Sequence, residues 1–200
     1  MYCAKCDSYA CYFGGKRPEN CPMDLMDVYD EALAQYDGFE REIAVNAGKV
    51  EAEGYLNWCR IKEIAEFAKR CGFRKLGLAF CIGLRREARE TVSILEKYGF
   101  EVFSVVCKTG AIDKEVIGLK REDKISKKDF EAMCNPIAQA EILNRLETDL
   151  NIILGLCVGH DTLFIMHSKA PVTCFAVKDR VLAHNPLGAV YARHYFRKRV

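Results

Sequence analysis

Four short apolar runs recur beyond residue 74: Lys75 to Cys81 (KLGLAFC), Phe100 to Cys107 (FEVFSVVC), Leu150 to Cys157 (LNIILGLC) and Val172 to Val177 (VTCFAV). Three of the four are nearly continuous in apolar residues, as strands covered on both faces must be. Helical patterns fit the segments between them: Leu84 to Tyr98, stopped by Gly99, then Pro136 to Thr148, and a short helix from Thr162 to His167. Strand alternating with helix implies right-handed crossovers. The expected fold is therefore α/β, a Rossmann-like parallel sheet with helices on both faces.

Upstream, Leu25, Tyr29, Leu33, Tyr36, Phe39 and Ile43 recur at steps of three and four, which predicts one helix entered at Pro22 and Asp24 and stopped at Gly48. A second helix fits Tyr55 to Cys71, with Ile61, Ile64, Ala65 and Ala68 inward and Gly72 closing it. Residues 1–22 hold four cysteines, two adjacent glycines and two prolines without any period, so they read as a metal-binding knuckle. Residues 23–200 read as the α/β domain. The polar stretch Lys108 to Lys128 is long enough to be a functional loop or lid.

The chain has 200 residues, of which 30 are Lys or Arg and 28 are Asp or Glu, so its charge supplies no attraction to nucleic acid. No apolar run approaches the roughly 18 residues of a membrane span, and MYCAKCDSY does not read as an export signal. A cytoplasmic location is expected, with no membrane partner. Eleven cysteines, an odd number in such a chain, point to reduced thiols kept for metal or catalysis rather than to disulfides.

Position separates ligands from fillers. Cys81, Cys107 and Cys157 each close an apolar run, and the carboxyl ends of parallel strands share one edge, where open α/β folds bind ligands. Neighbouring strands lie about 4.8 Å apart, so thiolates there can share one inorganic cluster. In Met133-Cys134-Asn135-Pro136, Asn135 suits an N-cap and Pro136 a first helical residue, which puts Cys134 beside a helix N-terminus where a thiolate is favoured. Four thiolates, Cys81, Cys107, Cys134 and Cys157, match the requirement of a four-iron four-sulfur (4Fe-4S) cluster. Cys59, Cys71 and Cys174 read as buried fillers. The N-terminal group Cys3-x2-Cys6-x4-Cys11-x9-Cys21 is expected to hold zinc or a second iron–sulfur cluster, with folding energy drawn from the metal.

A second chemistry competes at Cys157. Gly155-Leu156-Cys157-Val158-Gly159 has the form of a nucleophile elbow, and with His160 the segment GLCVGH resembles the elbow of class I glutamine amidotransferases. The resemblance implies a cysteine nucleophile with a distant histidine base, for which His184 is the available residue, although Pro186 stands where that family has a glutamate. His160, in the turn beside Cys157, suits a proton donor or a ligand. His167 and His194 read as surface residues. The loop Lys178-Asp179-Arg180-Val181 to His184-Asn185-Pro186 follows a strand and reads either as part of the same crevice or as an ordinary salt-bridged loop.

The CAKC start, CNPIAQAEILN, and GLCVGHDTLFIMHSKAPVTCFAVKDRVLAHNP together resemble an uncharacterised family of small cysteine-rich proteins, labelled metal-binding, of anaerobic bacteria and archaea. The resemblance implies a metal but no reaction. The inner site also resembles desulfidase-type proteins, whose cluster is held by three cysteines with one iron open; on that analogy Cys134 or Cys157 would be catalytic instead of a ligand. The expected role is redox or sulfur chemistry on a small molecule, or electron transfer with a redox partner protein.

Overall fold

The structure, a computed structural model, describes residues 3–25 and 28–198. The chain divides into two units, Met1–Glu53 and Gly54–Val200.

In the first unit a 3-10 turn, Cys3–Lys5, leads to helices α1 (Ala10–Phe13), α2 (Pro22–Leu25), α3 (Tyr29–Ala34) and α4 (Gly38–Gly54). The single helix predicted from the apolar stripe is broken between α3 and α4. At the break Gly38 takes a left-handed φ of 49° and the Asp37 carboxylate accepts its N–H at 2.8 Å. Leu33, Tyr36 and Phe39 remain 67%, 55% and 48% exposed, so no burial favours a continuous helix through them. Gly48 does not stop α4, since a mid-helix glycine costs only about 1 kcal/mol.

The helix expected from Tyr55 starts only at Arg60. Residues 55–59 form a turn with Leu56 left-handed at φ 57°, and α5 then runs Arg60–Arg70. The strands follow their expected order, as β1 (Lys75–Phe80), β2 (Glu101–Val106), β3 (Leu150–Leu154) and β4 (Val172–Ala176). All pair in parallel, in the order β2-β1-β3-β4, with Phe80 opposite both Val106 and Leu154. Three helices connect them: α6 (Arg85–Lys97), α7 (Pro136–Arg145) and α8 (His160–His167). Two short helices, α9 (Leu187–Tyr191) and α10 (Arg193–Phe196), follow.

Alternation along the strands divides the core. Leu76 and Leu78 of β1 join Ile64, Ala65 and Ala68 of α5 and Leu84, Ala88 and Leu95 in one cluster. Ala79 and Val105 join Ala140 and Leu143 of α7 and Phe164 of α8 in the other. Each fully buried Leu, Ile or Phe contributes about 1.5–3 kcal/mol. Helix α7 approaches closely because Gly77 faces it: a Cβ at Gly77 would stand 2.8 Å from Leu143 Cδ1 and 2.0 Å from Asn151 Oδ1. The chain leaves β1 toward β2 but leaves β3 toward β4, so the direction of winding switches between β1 and β3. Open α/β sheets bind ligands at that switch point, beyond the carboxyl ends of the strands.

None of the three cysteines read as buried fillers is fully buried. Cys59 is the N-cap of α5 and Cys174 lies on edge strand β4, and both are exposed; Cys71 is half-buried. An edge strand has a neighbour on one side only, which the apolar run VTCFAV does not reveal. Among the described residues no helix is long and apolar enough to cross a membrane.

Candidate functional site

A cavity of about 620 Å³ opens at the carboxyl edge of the sheet, and Cys81, Cys107, Cys134 and Cys157 all line it. The backbone explains the convergence. Cys81 directly follows β1 and its N–H donates to Leu154 O at 3.1 Å; Cys107 directly follows β2 and its N–H donates to Phe80 O at 2.8 Å, so both remain tied to the sheet. Asn135 links the third to them: its N–H donates to Cys107 O at 2.7 Å and its Oδ1 accepts Ala138 N–H at 3.1 Å, the expected cap of α7. Cys157 stands three residues past β3, beyond Gly155. That glycine is left-handed at φ 68°, and a Cβ on it would fall 2.2 Å from Leu84 Cδ1.

Cys107 lies between Cys81 and Cys134, hydrogen-bonded to both side chains. Those two bonds and burial push the Cys107 thiol far up, although Ile82 N–H donates to its sulfur at 3.4 Å. Its neighbours move the other way. Cys81 is lowered to about 5 by the Cys107 hydrogen bond, against burial, with help from Gly83 N–H and Lys178. Cys134 is lowered to about 5 by Cys107, again against burial, and by Lys108 and His160. Cys157 is served separately: Arg180 Nη2 donates to its sulfur at 3.1 Å, and that contact raises the guanidinium further. Each outer thiol therefore has its own cation.

The loop after β4 does reach the crevice, with Lys178, Asp179, Arg180 and His184 on the cavity wall. Asp179 turns back into the loop, its Oδ1 accepting the N–H groups of Val181 and Leu182 at 2.9 and 2.8 Å. Asp179 N–H donates to His184 Nδ1 at 3.1 Å, and Ala183 and His184 are both left-handed, at φ 50° and 66°. Such residues cost of order 1–3 kcal/mol each and gather at functional sites. His160 opens α8, its backbone N–H donating to Cys157 O at 2.9 Å, and lines the same cavity, and its Nδ1 is buried with no hydrogen-bond partner among the described residues. His167 and His194 are exposed, as read from the sequence.

The polar stretch after β2 roofs the cavity with Ile117, Leu119 and Met133. A lysine holds it together. The Lys124 side chain is fully buried and its Nζ meets Asp113 at 2.9 Å, Glu115 at 2.7 Å and Asp129 O. Lys114 pairs with Glu131, and Asp113 caps the 3-10 turn Lys114–Ile117.

In the first unit Cys3, Cys6, Cys11 and Cys21 all line a second cavity of about 500 Å³, with Tyr9, Pro18, Met23 and Tyr29. Among the described residues, no three His, Cys, Asp or Glu side chains are grouped to hold a single metal ion. A cluster imposes a different geometry, since each of its thiolates binds a separate iron.

Sequence reasoning missed Lys108, whose Nζ donates to Ala132 O at 2.5 Å beside Cys134, and Gln139. The buried Gln139 Nε2 donates to Phe80 O at 3.3 Å and Val105 O at 2.7 Å, joining the ends of β1 and β2 just before the two cysteines. A polar residue at an inward helical position, four after the Asn135 cap, was the available signal.

A profile described as a protein of unknown function, DUF1847, matches residues 21–175. The chain belongs to the DUF1847 family. It is also 48% identical over 198 residues to an uncharacterized protein of Methanocaldococcus jannaschii, covering 99% of this chain and 97% of that one. Membership agrees with the uncharacterised family read from CNPIAQAEILN and the run beginning GLCVGH, and neither description names a metal. The matched segment contains Cys81, Cys107, Cys134 and Cys157, and begins at Cys21.

Proposed function

We propose that the cavity at the switch point is an iron–sulfur site at which redox or sulfur chemistry is performed on a small molecule. The observation that carries this reading is the contiguous sulfur trio of Cys81, Cys107 and Cys134. Buried fillers have no need of charged partners, whereas here Lys178 serves Cys81 and Lys108 serves Cys134. The donor set fits a cluster: three thiols on separate segments of the sheet edge, with N–H donors at Ile82 and Gly83 directed at sulfur, which tune such centres. Bound there, a cluster would supply electron transfer or an iron open to sulfur. The chain's own residues would do the rest: Gln139 fixes the strand ends, Lys108 and Lys178 balance thiolate charge, and the roof limits access of water. A cavity of about 620 Å³ beside the trio favours small-molecule chemistry over simple electron carriage, which requires no such space. The N-terminal cysteines would hold a second centre, zinc or iron–sulfur.

The hydrolase reading has weaker support. Cys157 does not take the left-handed backbone of a strained elbow, and its sulfur is contacted by Arg180. His184 Nδ1 already accepts Asp179 N–H, so a neutral ring carries its proton on Nε2 and faces the cavity as a donor.

The test is iron and acid-labile sulfide in protein purified without oxygen, with visible absorption. Wild type should be brown, Cys107→Ala should lose most of the inner iron, and Cys6→Ala should report the N-terminal centre separately. Protein whose iron and colour are unchanged by Cys107→Ala, or absent from the start, defeats the reading. Amide or ester turnover abolished by Cys157→Ala at unchanged metal content would favour the hydrolase.

A further inference from the structure

The wall formed by the loop after β4 offers hydrogen-bond donors and almost no acceptors. Lys178 and Arg180 are cations, a neutral His184 presents Nε2–H, and the one acid, Asp179, has its Oδ1 engaged by two backbone N–H groups. The loop adopts two consecutive left-handed residues to present His184 this way, the kind of local strain that persists where a binding site requires it. Arg180 uses Nη2 on Cys157, which leaves the remainder of its five-donor fork. In the same cavity the buried Nδ1 of His160 has no partner among the described residues. Above lie the apolar side chains of Ile117, Leu119 and Met133.

We infer that the ligand of this cavity is a small organic carboxylate, its anionic head held by Arg180, Lys178 and His184 beside a Cys157 that is free of metal, and its apolar part under the roof. This rests on the reading that Cys81, Cys107 and Cys134 form the metal-holding set, which leaves Cys157 to face the ligand. A carboxylate supplies the acceptors the wall lacks, and a planar guanidinium matches it in a fork. A neutral ligand of the same size would leave the remaining donors of Arg180 and Lys178, beyond those turned to Cys157 and Cys81, without an anionic acceptor.

The experiment is differential alkylation of the anaerobically purified full chain, with iodoacetate as the anionic probe and iodoacetamide as its neutral isostere. Modification is counted per cysteine by peptide mass spectrometry, with 2-mercaptoethanol in the same solution as the neutral reference thiol. The iodoacetate-to-iodoacetamide rate ratio at Cys157 should exceed that of the reference at least about ten-fold, the factor one charge-assisted hydrogen bond supplies. Arg180→Gln and Lys178→Gln should bring it toward the reference, and exposed Cys59 should show no such preference. A Cys157 ratio equal to the reference, or one unmoved by both variants, overturns the inference. So does a Cys157 that reacts with neither reagent while the protein carries iron, because it is then a ligand and the iron–sulfur reading stands alone. Preference for iodoacetate in protein that never contains iron leaves the anion site standing and removes the cluster.

Discussion

Replacing Gly155 by alanine tests how the turn carrying Cys157 is built. Two costs add at this position. An L-residue at φ 68° sits in the left-handed region at about 1–2 kcal/mol. The new methyl also lies 2.2 Å from Leu84 Cδ1, and Leu84 is only 6% exposed, so its displacement is an overpacking of about 1–3 kcal/mol. Gly155→Ala should therefore destabilise by about 2–5 kcal/mol. Gly72, left-handed at φ 69° just past α5 with no atom within 4 Å of its would-be Cβ, supplies the control for the backbone cost alone, about 1–2 kcal/mol. Leu84→Ala removes the clashing atom, so in a double-mutant cycle the pair should cost about 1–3 kcal/mol less than the sum of the single changes. Urea unfolding followed by fluorescence of Trp58, the single tryptophan, measures all four proteins. Equal costs at Gly155 and Gly72, together with an additive cycle, would refute the claim that Leu84 sets this turn.

Three further outcomes are expected. Asn135→Ala should cost about 1 kcal/mol in urea unfolding through loss of the α7 cap, and Asn135→Asp, which keeps the acceptor, should cost less. Lys124→Met should leave Asp113 and Glu115 without their shared cation and speed hydrogen exchange in residues 108–131, with the sheet amides unchanged; uniform change across the chain would show that the roof is not a separate unit. The same roof should respond to acid. Glu131 is lowered to about 2 by hydrogen bonds from Lys114 and Ser126, and Asp113 is lowered by Glu115 N–H, then by Lys124. Folded values below the unfolded ones mean stabilisation that is complete above the ordinary carboxylate range of about 4 and lost as pH falls toward 2. Protection factors for residues 108–131 that stay constant over that window would contradict the sign.

The sheet was legible because its signal is redundant. KLGLAFC and LNIILGLC are buried on both faces in the two inner strands, and no other element accepts such runs at that length, while FEVFSVVC on the outer strand β2 is only partly covered. Convergence of Cys81, Cys107 and Cys157 on one cavity followed from parallel topology alone, and Cys134 from the Asn135-Pro136 cap. Burial was less legible where topology decides it. VTCFAV looks like an inner strand, but its place at the sheet edge exposes Cys174. Helix continuity through Asp37-Gly38 failed for a different reason: the apolar stripe predicts a shared face, and Leu33, Tyr36 and Phe39 stay exposed among the described residues. Lys124 and Gln139 are ordinary polar residues in sequence, given meaning only by Asp113, Glu115 and the carbonyls of Phe80 and Val105. Those partners lie 9 to 59 residues away in the chain, beyond any local pattern.

The four thiols of the cavity enter from β1, β2, the cap of α7 and the turn after β3, so no contiguous fragment short of residues 81–157 contains them all. A polypeptide still emerging from the ribosome displays them one at a time, and parallel strands join only after each crossover has closed. Any process that needs several of these sulfurs together must therefore act after synthesis has passed Cys157. Assembly of the site is a late event in the life of the chain, completed only when β4 and the loop with Lys178, Arg180 and His184 close the wall.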